Sequence, residues 1–155
     1  MVLPQRILRG VRLLAEGNSR KDTASALQIA RTTLDRDVRR ACEQLGIPVP
    51  KYAPLINAVV RDRLITLWPC EYVRLDEPLV HILELVAAGH TNRQIGQRLG
   101  LSEDGVIDRL RVIMRLLDAR TRWQAVARGW QCGIFRRPGS PPSGTAPVPT
   151  EQVRA

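Results

Sequence analysis

Six residues between positions 31 and 40 form the densest set of anion-seeking donors in the chain: Arg31, Thr32, Thr33, Arg36, Arg39 and Arg40. A guanidinium is a planar fork of N–H groups that fits a phosphate or the O6/N7 edge of guanine, and a threonine hydroxyl donates to phosphate oxygen. Just upstream, Ser19, Arg20 and Lys21 add a hydroxyl and two cations. A sparser second set follows at Asn92, Arg93, Asp108 and Arg111, where the Asp carboxylate suits the amino group of cytosine. This is chemistry for holding a polyanion. Bond-making chemistry lacks its parts: His81 and His90 have no Cys or carboxylate at metal-ligand spacing, and there is neither a nucleophile elbow nor a Gly-rich phosphate loop. No enzyme activity, cofactor or metal is expected.

Composition agrees with that division. The 155 residues carry 24 Lys+Arg against 15 Asp+Glu, a formal charge of +9, which suits a polyanionic partner. Nearly all the positive charge is arginine, since only Lys21 and Lys51 are lysines. Apolar residues make up 44% but aromatics only 4%, so a core must be built from Leu, Val, Ile and Ala, as small helical units do. Nowhere is there the run of about 18 apolar residues that a membrane span needs. The arginine-broken start Met1 to Arg6 lacks a signal core, so a cytoplasmic protein without membrane contact is expected. Cys42, Cys70 and Cys132 are odd in number and far apart, and reduced, passive thiols are expected.

The elements that must position these donors repeat. At an offset of 72, Leu3 to Ile47 aligns without a gap on Leu75 to Ala119; Leu13 meets Leu85, Gly17 meets Gly89, Leu27 meets Leu99, Arg39 meets Arg111 and Leu45 meets Leu117. In the second copy Asp76 caps a helix with apolar Leu79, Ile82, Leu83 and Val86, ending at Gly89. Thr91 and Gln94 read as a capping box for a short helix ending at Leu99-Gly100. Ser102 then caps a longer helix whose stripe is Val106, Leu110, Ile113 and Leu117, and Thr121 with Gln124 reads as a second box opening a fourth helix. In the first copy the matching helices are Pro4 to Gly17, Ser19 to Leu27 and Arg31 to Leu45, the last weakly capped because Ala30 stands where Ser102 does. A fourth amphipathic helix is expected over Leu55 to Trp68, stopped by Pro69. A short helix, a turn and a longer helix make a helix-turn-helix, whose second helix can lie in the DNA major groove.

Leu75 to Ile134 resembles the LuxR-type (GerE-like) helix-turn-helix family. The likeness is carried by Leu83-Glu84-Leu85-Val86-Ala87-Ala88-Gly89, Ile95, Arg98-Leu99-Gly100-Leu101-Ser102-Glu103, Val106 and Gln124-Ala125-Val126. The first copy, with Leu14-Ala15-Glu16-Gly17, Leu27 and Thr33-Leu34, resembles a degenerate version. The expected fold is all-α: two tandem four-helix LuxR-like domains, at residues 1–70 and 71–135, followed by a disordered tail at 136–155. The resemblance implies sequence-specific binding of double-stranded DNA by a transcription regulator. It places base reading at Ile107, Asp108 and Arg111 and, in the first copy, at Asp35, Arg36 and Arg39.

Charge divides the copies. Residues 1–47 hold nine basic and five acidic side chains, whereas 75–135 hold eight and seven, with Asp104 and Asp108 on the helix that would face phosphates. The first copy is therefore expected to dominate affinity. The second adds specificity or meets a protein, and the alternatives are an adaptor for RNA polymerase or another regulator, or the DNA-recognition subunit of a recombination or packaging system. Trp123, Val126 and Trp130 form a stripe on the last helix that suits a homodimer, the other reading being packing against the first helix of the same copy.

Overall fold

A computed structural model describes residues 2–135; the expected tail, with Arg136 and Arg137, lies outside the described residues. Eight helices and no strand appear among the described residues: α1 (Gln5–Ala15), α2 (Arg20–Ala26), α3 (Arg31–Gln44), α4 (Tyr52–Arg61), α5 (Glu77–Ala87), α6 (Asn92–Leu99), α7 (Glu103–Leu116) and α8 (Arg122–Gln131). The bounds of α1 and α3 recur in α5 and α7 at an offset of 72, and α2 starts 72 residues before α6. The fourth helices are equally long but recur at an offset of 70, because Pro48-Val49-Pro50 lengthens the connection into α4.

Local chemistry sets most boundaries. Thr91 Oγ1 accepts from Gln94 N at 3.2 Å while Gln94 Oε1 accepts from Thr91 N at 2.9 Å, a complete capping box. Ser102 accepts from Gly105 N at 3.0 Å, and Ser19 accepts from Asp22 N at 3.1 Å. The expected box at Thr121 is only half made: Thr121 accepts from Gln124 N, but Gln124 Oε1 turns to Arg120 N at 2.7 Å and Nε2 donates to Glu16 O at 3.2 Å. Tertiary contact with α1 has taken that side chain from its local partner. Asp76 and Ala30 both stand at N-caps without a side-chain hydrogen bond.

The expected helix Leu55 to Trp68 is corrected to Tyr52–Arg61. Pro54 is the third helical residue, in the first turn, where the backbone N–H has no helical partner to lose. Arg63 at φ 58° then reverses the chain, and the connector 62–76 runs without regular structure to α5.

One continuous core draws on seven of the eight helices, all but α2. Its members include Leu14, Val38, Leu55, Ile56, Val59, Ile82, Val86, Ile95, Ile113 and Val126. Helix α8 packs on α1, α4, α5 and α7, and α4 packs on α1, α3, α5 and α8. Glycines mark two close approaches between the halves. Gly17 at φ 100° brings the end of α1 against Gln124 of α8, and Gly89 at φ 94° brings the end of α5 against Pro54 of α4. Gln124 and Pro54 are themselves 70 residues apart, so the two contacts are reciprocal.

Trp123 and Trp130 are covered within the chain by α4. The Trp123 ring lies 5.3 Å from that of Tyr52, Trp130 Nε1 donates to Asn57 Oδ1 at 3.0 Å, and Val126 is fully buried. Part of the stripe expected for a homodimer thus packs on α4, and Trp123 and Trp130 stay half-buried.

The expectation of three reduced thiols is also corrected. Cys70 and Cys132 are joined as a disulfide with Cα atoms 5.2 Å apart, although 62 positions separate them, because the connector folds back on the end of α8. Cys42 is free and buried, and burial pushes its thiol up to about 11.

Candidate nucleic-acid interface

Helices α2 and α3 pack through the turn Leu27-Gln28-Ile29-Ala30, held by Gln28 N to Ser25 O and Ile29 N to Ala24 O, both 3.0 Å. Leu34, Val38, Ala41 and Cys42 face the core. With that face fixed, the helical period leaves Thr32, Arg36, Arg39 and Arg40 together on the exposed side, with Arg31 exposed at the first turn and Thr33 half-buried. Lys21 is exposed on α2.

Two of the three acids of α3 are engaged by partners within the chain. Asp37 is buried and receives Arg6 Nε and Nη2 at 3.1 and 2.7 Å. Asp35 accepts from the Tyr52 hydroxyl and lies 3.7 Å from Arg20, whose guanidinium sits 5.9 Å from the centre of the Tyr52 ring. Burial first, and then the Asp35 hydrogen bond, push the Tyr52 phenol above its ordinary range, so it stays a donor. Among the described residues Lys21, Arg31, Arg36, Arg39 and Arg40 make no ion pair. Arg20, expected as a phosphate ligand, is half-exposed and also ties α2 to α3 and α4. Sequence reading missed Tyr52 and Arg6 in these roles, for neither lies within the donor cluster.

The second pair of helices has the same frame and different charges. The turn Gly100-Leu101-Ser102 between α6 and α7 is closed by Leu101 N to Gly96 O at 2.9 Å, with Gly100 left-handed at φ 68°. Val106, Leu110 and Ile113 anchor α7. On its exposed side Glu103, Asp104 and Asp108 stand at the start, and Asp108 pairs with Arg111 at 2.8 Å. Two expected readers are thus paired to each other. Arg109 Nη1 turns back to Gly105 O at 3.0 Å. Asn92 accepts from Arg122 Nη1 at 3.1 Å, while Arg122 Nη2 reaches His90 O at 3.1 Å; burial lowers the Arg122 guanidinium from its ordinary value. Arg93 remains exposed.

A short helix closed by a left-handed turn onto a longer, Ser-capped helix, all within 80–128, coincides with a match to the family model described as GerE, bacterial regulatory proteins, luxR family. Residues 80–128 are a LuxR-family helix-turn-helix domain. This LuxR-family segment comprises α6 and α7 and most of α5 and α8. Similarity to one relative runs further: the HTH-type transcriptional activator RamA of Corynebacterium glutamicum is 29% identical over 126 residues, covering 78% of this chain and 38% of RamA. The chain therefore spans well under half the length of that relative. No solved structure matches the chain. No described helix is long and apolar enough to cross a membrane.

Proposed function

We propose that the chain reads duplex DNA as a transcription regulator through two tandem helix-turn-helix units, residues 1–70 and 71–135, of which the first supplies most of the affinity. The observation that carries this is the unpaired exposed face of α3, Thr32-Arg36-Arg39-Arg40, on a helix whose frame recurs 72 residues later as α7 of the LuxR-family segment. Similarity to the activator RamA over 126 residues extends beyond 80–128 and supports the same reading for the whole chain. Internal neutralisation of Asp35 and Asp37 leaves the α3 arginines as local positive potential, which attracts phosphate and positions the helix. Reciprocal packing of α4 and α8 joins the two readers within one chain, as a dimer interface would across two.

The test is selection from a randomised duplex pool at two salt concentrations with the wild type, Arg36→Ala/Arg39→Ala and Arg111→Ala. One enriched motif, lost mainly in the α3 double variant, is expected. Unenriched binding in all three that vanishes at the higher salt would overturn the reading.

A second reading is favoured by one observation: α7 leaves Val112 and Leu116 exposed at 40% and 48% beside Asp104 and Asp108. An apolar pair edged by acids suits a basic protein surface such as that of RNA polymerase or another regulator, leaving DNA to α3. Loss of a captured partner in Asp104→Asn/Asp108→Asn with duplex binding intact would support it.

A further inference from the structure

The Cys70–Cys132 pair stands apart from both helix-turn-helix faces, and DNA reading makes no use of it. Cys70 lies in the connector 62–76 and Cys132 at the C-cap of α8. Two hydrogen bonds hold the same strip of chain: Cys70 N donates to Gln131 O at 3.2 Å, and Gln131 Nε2 donates to Trp68 O at 2.7 Å. Backbone pairing thus delivers the two sulfurs to each other across the fold. Cys70 is partly exposed while Cys132 is buried, so an incoming thiolate meets the Cys70 sulfur first. Cys42, buried and on α3, is no competitor for exchange.

We propose that Cys70–Cys132 is a reversible redox modification site, a clasp on the connector that small thiols open and small disulfides close. The expectation of reversibility rests on the DNA-binding reading: DNA-regulating proteins work beside a reducing thiol pool, where protein disulfides are transient and redox-sensing. In opening, a glutathione-type thiolate attacks the Cys70 sulfur, the protein S–S bond breaks, and Cys132 leaves as a thiolate that takes a proton from water. A second small thiolate attacks the mixed disulfide and releases Cys70, so two small thiols become one small disulfide while the protein pair gains two electrons and two protons. Closing is the reverse, with a small disulfide as oxidant. Once open, the strip 68–72 keeps the two Gln131 hydrogen bonds with Trp68 and Tyr72 exposed, between the buried anchors Ile65 and Leu75. Such a segment opens locally while the shared core stays folded.

The experiment incubates the full chain in reduced or oxidised glutathione, counts natively alkylated thiols by mass, and follows tryptic cleavage after Arg63 and Arg74. Expected is a pair protected in oxidised and alkylated in reduced glutathione, interconverting on exchange of buffer, with cleavage severalfold faster in the reduced form. Cys42→Ser should behave as the wild type. Cys70→Ser and Cys132→Ser should cleave as the reduced form in either buffer. A pair that stays oxidised in excess reduced glutathione, thiols that never pair, or equal cleavage in both buffers would each overturn the proposal. If a serine variant fails to fold, the wild type and Cys42→Ser decide. Duplex binding is measured in parallel: its absence in both redox states counts against the DNA reading, while interconversion and cleavage still judge the clasp.

Discussion

Single positions show where the first four helices depart from the second four. Thr23 occupies the place of Ile95 at the offset of 72; it is fully buried and its Oγ1 has no partner among the described residues. A buried hydroxyl without a hydrogen bond is destabilising, so Thr23→Val should raise stability by about 1–2 kcal/mol in urea unfolding with an unchanged slope. Gln28 likewise holds a left-handed φ of 56° where Gly100 holds 68°. Only glycine enters that region without a steric penalty, and Gln28→Gly should stabilise by about 0.5–1 kcal/mol. On the exposed face Arg36 differs in kind: no side chain among the described residues pairs with it. Arg36→Ala should leave the melting temperature unchanged, weaken the preferred duplex by about 1–3 kcal/mol and relax preference at one base position.

Helices carry the division of labour. Two of α3's acids are engaged by Arg6, Arg20 and Tyr52, whereas α7 ties Asp108 to Arg111 and presents Glu103 and Asp104 without an ion pair among the described residues. Lys21→Ala on α2 should therefore weaken all duplexes alike and reduce the salt slope by about 1, while Arg111→Ala should change little of the salt dependence. Most helix ends were legible in the sequence because they depend on neighbours: Thr91 with Gln94, Ser102 with Gly105, and the core stripe of α7. The end of α4 was not, since Pro69 is a stronger local stop than Arg63, yet Arg63 is where the chain turns. At Gly89 an added Cβ would stand 2.8 Å from Pro54 Cγ and 2.9 Å from Val49 Cγ1. Gly89→Ala should lose about 1–3 kcal/mol through strain between α5 and α4.

At the scale of the molecule, a single core drawing on every helix but α2 predicts one cooperative unfolding transition, seen as coincident helix and tryptophan signals. The disulfide closes a span of 62 positions, and its reduction should lower stability by about 4 kcal/mol on chain-entropy grounds. With Trp123, Val126 and Trp130 engaged inside the chain, sedimentation at high micromolar concentration should give a monomer.

The sequence by itself determined the helices other than the bounds of α4, their repeat at 72, the helix-turn-helix of α6 and α7 and the cationic face of α3. Each depends on residues within one or two turns of one another, where spacing and capping are local physics. Tertiary structure alone decided which of those cations are free, for the partners that engage Arg20 and Asp35 and bury Asp37 come from α1, α2, α3 and α4. It also decided that the fourth helices meet each other and that Cys70 reaches Cys132. Those contacts join residues dozens of positions apart, and only burial of a common core brings them within reach.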